Sequence, residues 1–172
     1  GLYWPQVGAL RLDGVPITDK NREWYAEHFS AVFSDFYLFD SLLGLGGADL
    51  DGRARRYLVE LELDTKIQIT DGAFSTTALS HGQRKRLALL TAFLENRPIY
   101  VFDEWAAAQD PHYREIFYTR LLPELQARGK TIVVISHDDR YYHLGDRIVK
   151  LEDGRLAEDT RGGRAGGPTP RR

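Results

Sequence analysis

The chain has 172 residues, 23 basic and 25 acidic side chains, a formal charge of −2, and 42% apolar residues. These proportions describe one compact domain or a large piece of one. Affinity for nucleic acid phosphates requires clustered Lys and Arg, so the near-neutral balance excludes a protein working mainly as a polycation, and no nucleic acid partner is expected. Cysteine is absent, which removes disulfides, thiolate metal sites and cysteine nucleophiles, and fits a reducing compartment. The chemistry is left to oxygen and nitrogen groups.

Methionine is also absent and the chain opens on Gly1-Leu2-Tyr3-Trp4-Pro5; the expectation is that further residues lie upstream. The longest apolar stretch, Leu87 to Leu94, falls short of the roughly 20 residues a membrane helix needs. In chain order, Val7 to Leu12 and Val15 to Ile17 flank Asp13-Gly14, a pairing that predicts an antiparallel hairpin because Gly accepts positive φ. Residues 19–27 read as a short helix capped by Thr18 or Asp19, and Phe29 to Phe33 as a buried strand. An aromatic loop, Ser34 to Phe39, follows. The cluster Gly44-Leu45-Gly46-Gly47 reads as flexible, and Ala54, Tyr57, Leu58 and Leu61 recur at helical spacing.

Ser80 with Gln83 three residues on forms a capping box and predicts a helix over about 82–96. Ile99 to Phe102 is a continuous apolar run ending in Asp103-Glu104, the pattern of a strand buried on both faces of a parallel sheet. Asp110-Pro111 reads as N-cap and first residue of another helix, with Tyr113, Phe117 and Leu121 on its apolar side. Pro123 should kink or restart that helix and Gly129 should end it. Thr131 to Ile135 reads as a second buried strand ending in Ser136-His137, then a short helix over 138–144. A hairpin follows, Arg147 to Leu151 and Arg155 to Ala157 around Asp153-Gly154. Alternating strands and helices across 99–151 imply the α/β class with parallel pairing. The tail from Thr160, rich in Gly, Pro and Arg, is expected to be disordered.

Three features carry the chemistry. Ser80, Gly82 and Gln83 open a helix whose free N–H groups and dipole suit an anion, and Gly82 permits close approach. Taken alone, such a Ser-x-x-Gln is only a cap. Asp103 lies 23 residues beyond Ser80 and Glu104 follows it, at a strand end where an Asp can hold a Mg²⁺-bound water and a Glu can polarise an attacking water. Taken alone, they are a solvated strand end. His137, 34 residues past Asp103, closes a second apolar strand, where an imidazole can stabilise charge developing on a phosphoryl group.

In this order the motifs resemble the C-terminal two-thirds of an ATP-binding cassette (ABC) nucleotide-binding domain, over about Trp4 to Glu158. Leu79-Ser80-His81-Gly82-Gln83 is similar to the ABC signature, with His81 in place of the commonest Gly. Ile99 to Glu104 resembles the Walker B strand with its magnesium aspartate and catalytic glutamate. Ala107-Ala108-Gln109-Asp110 occupies the D-loop, and Ile135-Ser136-His137 the switch-histidine strand. The Q-loop glutamine aligns with Ser34, followed by Asp35, a departure that puts its usual Mg²⁺ and coupling role in question; Phe36 to Phe39 would touch a membrane domain.

The resemblance implies a P-loop NTPase-like cassette: a parallel core sheet, a helical subdomain at about 40–96 holding the signature helix, antiparallel hairpins, and residues 1–159 as the partial domain before the tail. It implies ATP and Mg²⁺ as ligands, with Glu104 and His137 catalytic and Asp103 on the metal. Ser80, Gly82 and Gln83 would act in trans within a head-to-tail homodimer of cassettes. The wording around 103–111 and 136–141 is similar to cyclic-peptide and siderophore exporters, including pyoverdine exporters. There the cassette follows a membrane domain, which would place this chain on the cytoplasmic face of the inner membrane.

No Gly-x-x-x-x-Gly-Lys-Ser/Thr occurs in the 172 residues. The P-loop strand and helix are expected to precede Gly1, and without them the segment is expected to be inactive alone and prone to aggregate. Two alternatives remain from the sequence: a soluble ABC ATPase of DNA repair or translation, and a non-catalytic interaction module that lends its signature helix to a partner.

Overall fold

The computed structural model describes residues 4–35, 37–42, 44–46 and 49–162. Phe36, Gly47 and the tail from 163 onward, all named above, lie outside the described residues. The chain divides into two compact units, residues 1–135 and 136–172.

The first unit opens with strands β1 (Arg11–Leu12) and β2 (Val15–Pro16), paired antiparallel. Asp13 and Gly14 turn between them with φ of 48° and 80°, the two positive angles a tight hairpin turn requires. A 3₁₀ turn, Asp19–Asn21, leads into helix α1 (Arg22–Ala26); Asn21 Oδ1 accepts the Thr18 N–H at 2.7 Å, closing the entry. Strand β3 (Phe29–Val32) comes next. Helix α2 (Leu50–Glu60) and helix α3 (His81–Glu95) then pack together, with the small hairpin β4 (Ile69–Thr70) and β5 (Ala73–Phe74) between them in sequence.

The centre of the unit is a parallel three-stranded sheet in the order β3, β6 (Ile99–Asp103), β7 (Thr131–Ile135). Ser30 pairs with Tyr100 and Val32 with Phe102, while Val101 pairs with Val133 and Asp103 with Ile135. Because side chains alternate, Ser30, Val32, Tyr100 and Phe102 share the face that is buried. A continuous aromatic core covers it: Tyr57 on α2, Phe93 on α3, Tyr100 and Phe102 on β6, then Phe117 and Trp105, with consecutive ring centroids 4.4 to 6.3 Å apart. Such contacts add to the area the rings bury.

The opposite face corrects the sequence reading. Both apolar runs read as strands buried on two faces, yet Val133 is 45% and Ile135 50% exposed, and Val101 is half-buried. Among the described residues, α3 packs on the sheet at β3 and the helix just before β7 packs on β7, and burial alternates along β3 and β6. A run of apolar residues fixes the strand; the layers that cover it are set by other elements.

Asp110 caps α4 (Pro111–Ile116), its Oδ1 accepting from the Tyr113 N–H at 2.9 Å. The helix widens into a π turn at Phe117–Leu121 and resumes as α5 (Leu122–Ala127). Pro123 has no N–H to give, and the wide turn just before it is where the restart expected at that residue occurs. Gly129, at φ 75°, follows the C-terminus.

In the second unit, a 3₁₀ helix (Asp139–Leu144) precedes β8 (Arg147–Glu152) and β9 (Arg155–Arg161), paired antiparallel around Asp153-Gly154. The hairpin runs further than its sequence suggests. Thr160 pairs with Ile148 and Arg161 with Arg147, so these two residues belong to β9 and not to the expected disordered tail. A bidentate bond from Arg147 to the Asp159 carboxylate, both contacts at 2.7 Å, holds that end together. Β8 ladders with β9, where the alternation of strand and helix had implied a third parallel strand.

Candidate functional site

Ser80 is the N-cap of α3. Its Oγ accepts the Gln83 N–H at 3.3 Å, and Gln83 Oε1 accepts the Ser80 N–H at 3.0 Å. The capping box is therefore formed, and it ties Ser80 to Gln83 while leaving the Ser80 hydroxyl proton able to donate. Both Ser80 and His81 are exposed, and Gly82 and Gln83 are half-buried.

The end of β6 lies against this same first turn. A Cβ on Gly82 would meet the Ala108 carbonyl at 3.4 Å and the Gln109 side chain at 3.5 Å. Gln109, itself buried, donates from Nε2 to the Gly82 carbonyl at 3.3 Å. Gly82 thus lies directly against the turn after Glu104, where a Cβ would come into van der Waals contact with it.

Asp103 closes β6 and pairs with Ile135. Glu104 then leaves the strand at φ 49° and ψ 28°, a left-handed conformation uncommon for a residue with a Cβ. Its N–H donates to the Ile135 carbonyl at 3.0 Å, and its own carbonyl accepts from the Ala107 N–H at 3.3 Å, starting the 3₁₀ turn Trp105–Ala108. A third contact comes from α3: the buried Lys85 donates from Nζ to the Glu104 carbonyl at 3.2 Å. Trp105 Nε1 returns a bond to the Lys85 carbonyl at 3.0 Å. Burial pushes the Lys85 ammonium below the usual lysine value, while the carboxylates of Asp103 and Glu104 oppose that shift.

The first unit therefore brings Ser80, Gly82 and Gln83 beside the turn that follows Asp103 and Glu104. Asp110 serves as the cap of α4, at the far end of that turn. Ser34 and Asp35 form an exposed turn just past β3, at the same carboxyl edge of the parallel sheet as Asp103. His137 lies in the second unit, two residues beyond β7, and is exposed. Lys85, Trp105 and Gln109 did not stand out as site residues in the sequence. A lysine amid the apolar positions of α3 was the available signal, because a buried charge needs a partner.

The ABC transporter family model matches residues 1–107. The chain belongs to the ABC transporter family. It is 52% identical over 164 residues, covering 94% of this cassette, to the ATP-binding protein SyrD of Pseudomonas syringae pv. syringae, and spans 29% of that protein's length. It is 31% identical over 169 residues, covering 90% of the cassette, to the ATP-dependent lipid A-core flippase of Bordetella pertussis, spanning 26% of it. The cassette thus spans under a third of the curated relatives it matches. Among solved structures, a dimeric bacterial ABC transporter cassette superposes with a TM-score of 0.75 at 25% identity, covering 93% of this chain and 75% of that one. A post-hydrolysis dimer of an ATP-binding cassette bound to ADP and Pi gives 0.73 at 26% identity, with the same coverage of both chains. The fold is that of an ABC cassette, with its parallel core sheet, helices and antiparallel hairpins. No helix among the described residues is long and apolar enough to cross a membrane.

Proposed function

We propose that this segment is part of the ATP-hydrolysing cassette of an ABC exporter, coupling MgATP hydrolysis to export of a substrate. The observation that carries the reading is the carboxylate pair Asp103-Glu104 at the carboxyl end of the central parallel strand, followed by a turn that meets the capped start of α3 through Gln109, in a chain of the ABC family. Ligands of open parallel sheets bind at that edge.

Glu104 acts as the general base that orients and deprotonates the attacking water, and its left-handed turn presents it beyond the strand. Asp103 fits Mg²⁺ held through water, since this ion needs only one or two carboxylates beside the phosphates; when bound it neutralises phosphate oxygens. His137 is the donor toward the transferring phosphoryl group, and Asp110 belongs to the D-loop. Ser80, Gly82 and Gln83 meet a nucleotide held by a second cassette, with the α3 N–H groups and the Ser80 hydroxyl toward its phosphate. The dimeric state of the two solved neighbours supports that pairing. Ser34 and Asp35 take the Q-loop position at the same edge.

The sequence resemblance around 103–111 and 136–141 favours a cyclic peptide or siderophore as substrate, moved by a membrane domain N-terminal to this segment, with the cassette on the cytoplasmic face of the inner membrane. The relatives' roles, lipid A-core flippase among them, support membrane transport as the setting. The test is Glu104→Gln in the full-length protein. MgATP binding should persist while turnover falls about 10²-fold or more; turnover at the unaltered rate would remove Glu104 as base and, with it, the hydrolytic reading.

A further inference from the structure

Lysine 85 is 3% exposed, yet it carries an ammonium that an apolar side chain of similar length would have spared the fold. It lies on α3 two residues past Gln83, and two bonds clasp it to the exit of β6. Its Nζ donates to the Glu104 carbonyl at 3.2 Å, and its own carbonyl accepts from Trp105 Nε1 at 3.0 Å. Trp105 is 1% exposed and wedged against Phe117, with ring centroids 4.4 Å apart, so the clasp is anchored in the aromatic core. Between its two ends sits the one peptide that departs from extended geometry at the acidic pair, the left-handed Glu104. A strained residue persists only where its surroundings over-determine it. Here the Ile135 carbonyl holds the Glu104 N–H, and Lys85 together with the Ala107 N–H holds the Glu104 carbonyl. The ammonium also lies in the field of both carboxylates, which favour its charged form.

We propose that Lys85 is a positioning residue for Glu104: it locks the main chain of the β6 exit in its left-handed turn and so sets where the Glu104 carboxylate points. The proposal rests on Glu104 being the base. It assigns Lys85 no contact with nucleotide, so its loss acts on turnover and leaves nucleotide affinity alone.

The experiment compares Lys85→Met, Lys85→Arg and Glu104→Gln, and the Lys85→Met/Glu104→Gln double variant, in the full-length protein by steady-state ATPase kinetics. Lys85→Met keeps length and burial and removes donor and charge. Its kcat should fall roughly tenfold or more with KM for ATP within about twofold, as expected when a hydrogen bond from a charged group is lost. Lys85→Arg should restore most of the rate. The double variant should be no slower than Glu104→Gln alone, because a residue acting through another adds nothing once that other is gone. Should Lys85→Met fail to fold, Lys85→Gln, which keeps a neutral donor, takes its place with the same expectations at smaller amplitude. An unaltered kcat in Lys85→Met, a rate for Lys85→Arg as low as for Lys85→Met, or a double variant slower by the product of the two singles would each overturn the proposal while leaving Glu104 as base. Unaltered turnover in Glu104→Gln would instead overturn the proposed function, and this inference with it.

Discussion

Two strand ends that look alike in the sequence are built differently. Ile99–Asp103 and Thr131–Ile135 are both five-residue apolar strands followed by polar residues, and they lie side by side in register. The exit of β6 is fastened by Lys85 to Glu104, by Trp105 to Lys85 and by Gln109 to Gly82, all reaching across to α3. β7 borders the three-stranded sheet, with Val133 and Ile135 about half exposed. The difference shows that a strand end is defined less by its own residues than by what crosses to it from a neighbouring helix. Glu104 owes its place to α3 as much as to β6.

Truncating a side chain on each strand is the sharpest way to break this contrast. Phe102 is fully buried between Tyr100 and Phe117, so Phe102→Ala should cost about 3–5 kcal/mol in the unfolding free energy of the cassette. Val133→Ala, at a site 45% exposed, should cost less than about 1 kcal/mol. Chemical denaturation of the two variants in the full-length protein compares them directly. Equal losses would mean that β7 is as buried as its sequence reads and that the sheet has a second covered face.

A smaller effect probes the far end of the β6 exit. Asp110 caps α4 through the Tyr113 N–H, and removing a cap of this kind costs about 1 kcal/mol. Asp110→Ala should therefore lower stability by that amount and Asp110→Asn, a good cap itself, by much less. If both variants fall equally, the carboxylate charge matters and not the cap, and Asp110 would join Asp103 and Glu104 as an electrostatic element of the site.

Much of this arrangement was legible in the sequence for physical reasons. Asp-Gly marks the turns at 13–14 and 153–154 because few other pairs tolerate two positive φ angles; the same signal at Asp71-Gly72 marks the β4–β5 turn, a hairpin the sequence reading passed over. The α3 start was readable because Ser80 and Gln83 satisfy each other within four residues. The Asp110 cap and the break near Pro123 are local in the same sense. What was not legible depends on distant neighbours. Burial of Val133 and Ile135 depends on which layers cover the sheet, and Lys85 meets Glu104 across 19 residues. Thr160 and Arg161 join β9 because Arg147, more than ten residues earlier, finds Asp159.

The smallest effect tests helix packing away from the strand ends, where α2 closes on the helices that follow Asp110. Burial, with help from the neighbouring Glu124 carboxyl, raises the pKa of Glu60 above its ordinary 4.5, and Arg128 and Arg120 oppose the shift. A carboxyl whose folded pKa is raised favours its protonated form in the native state, so its stabilising contribution is complete below the unfolded value and lost as pH rises through the folded one. Stability should therefore decline slightly from about pH 4.5 upward from this group, by no more than about 0.5 kcal/mol given its partial exposure. Glu124→Gln removes the like charge and should flatten that decline, even though it gives up a 4.0 Å contact with Arg128. Urea midpoints at pH 4 and pH 7 would read it: the difference between the two should shrink in the variant. An unchanged difference would mean that burial alone shifts Glu60, and that the α2 end is held by packing independently of the charges on α5.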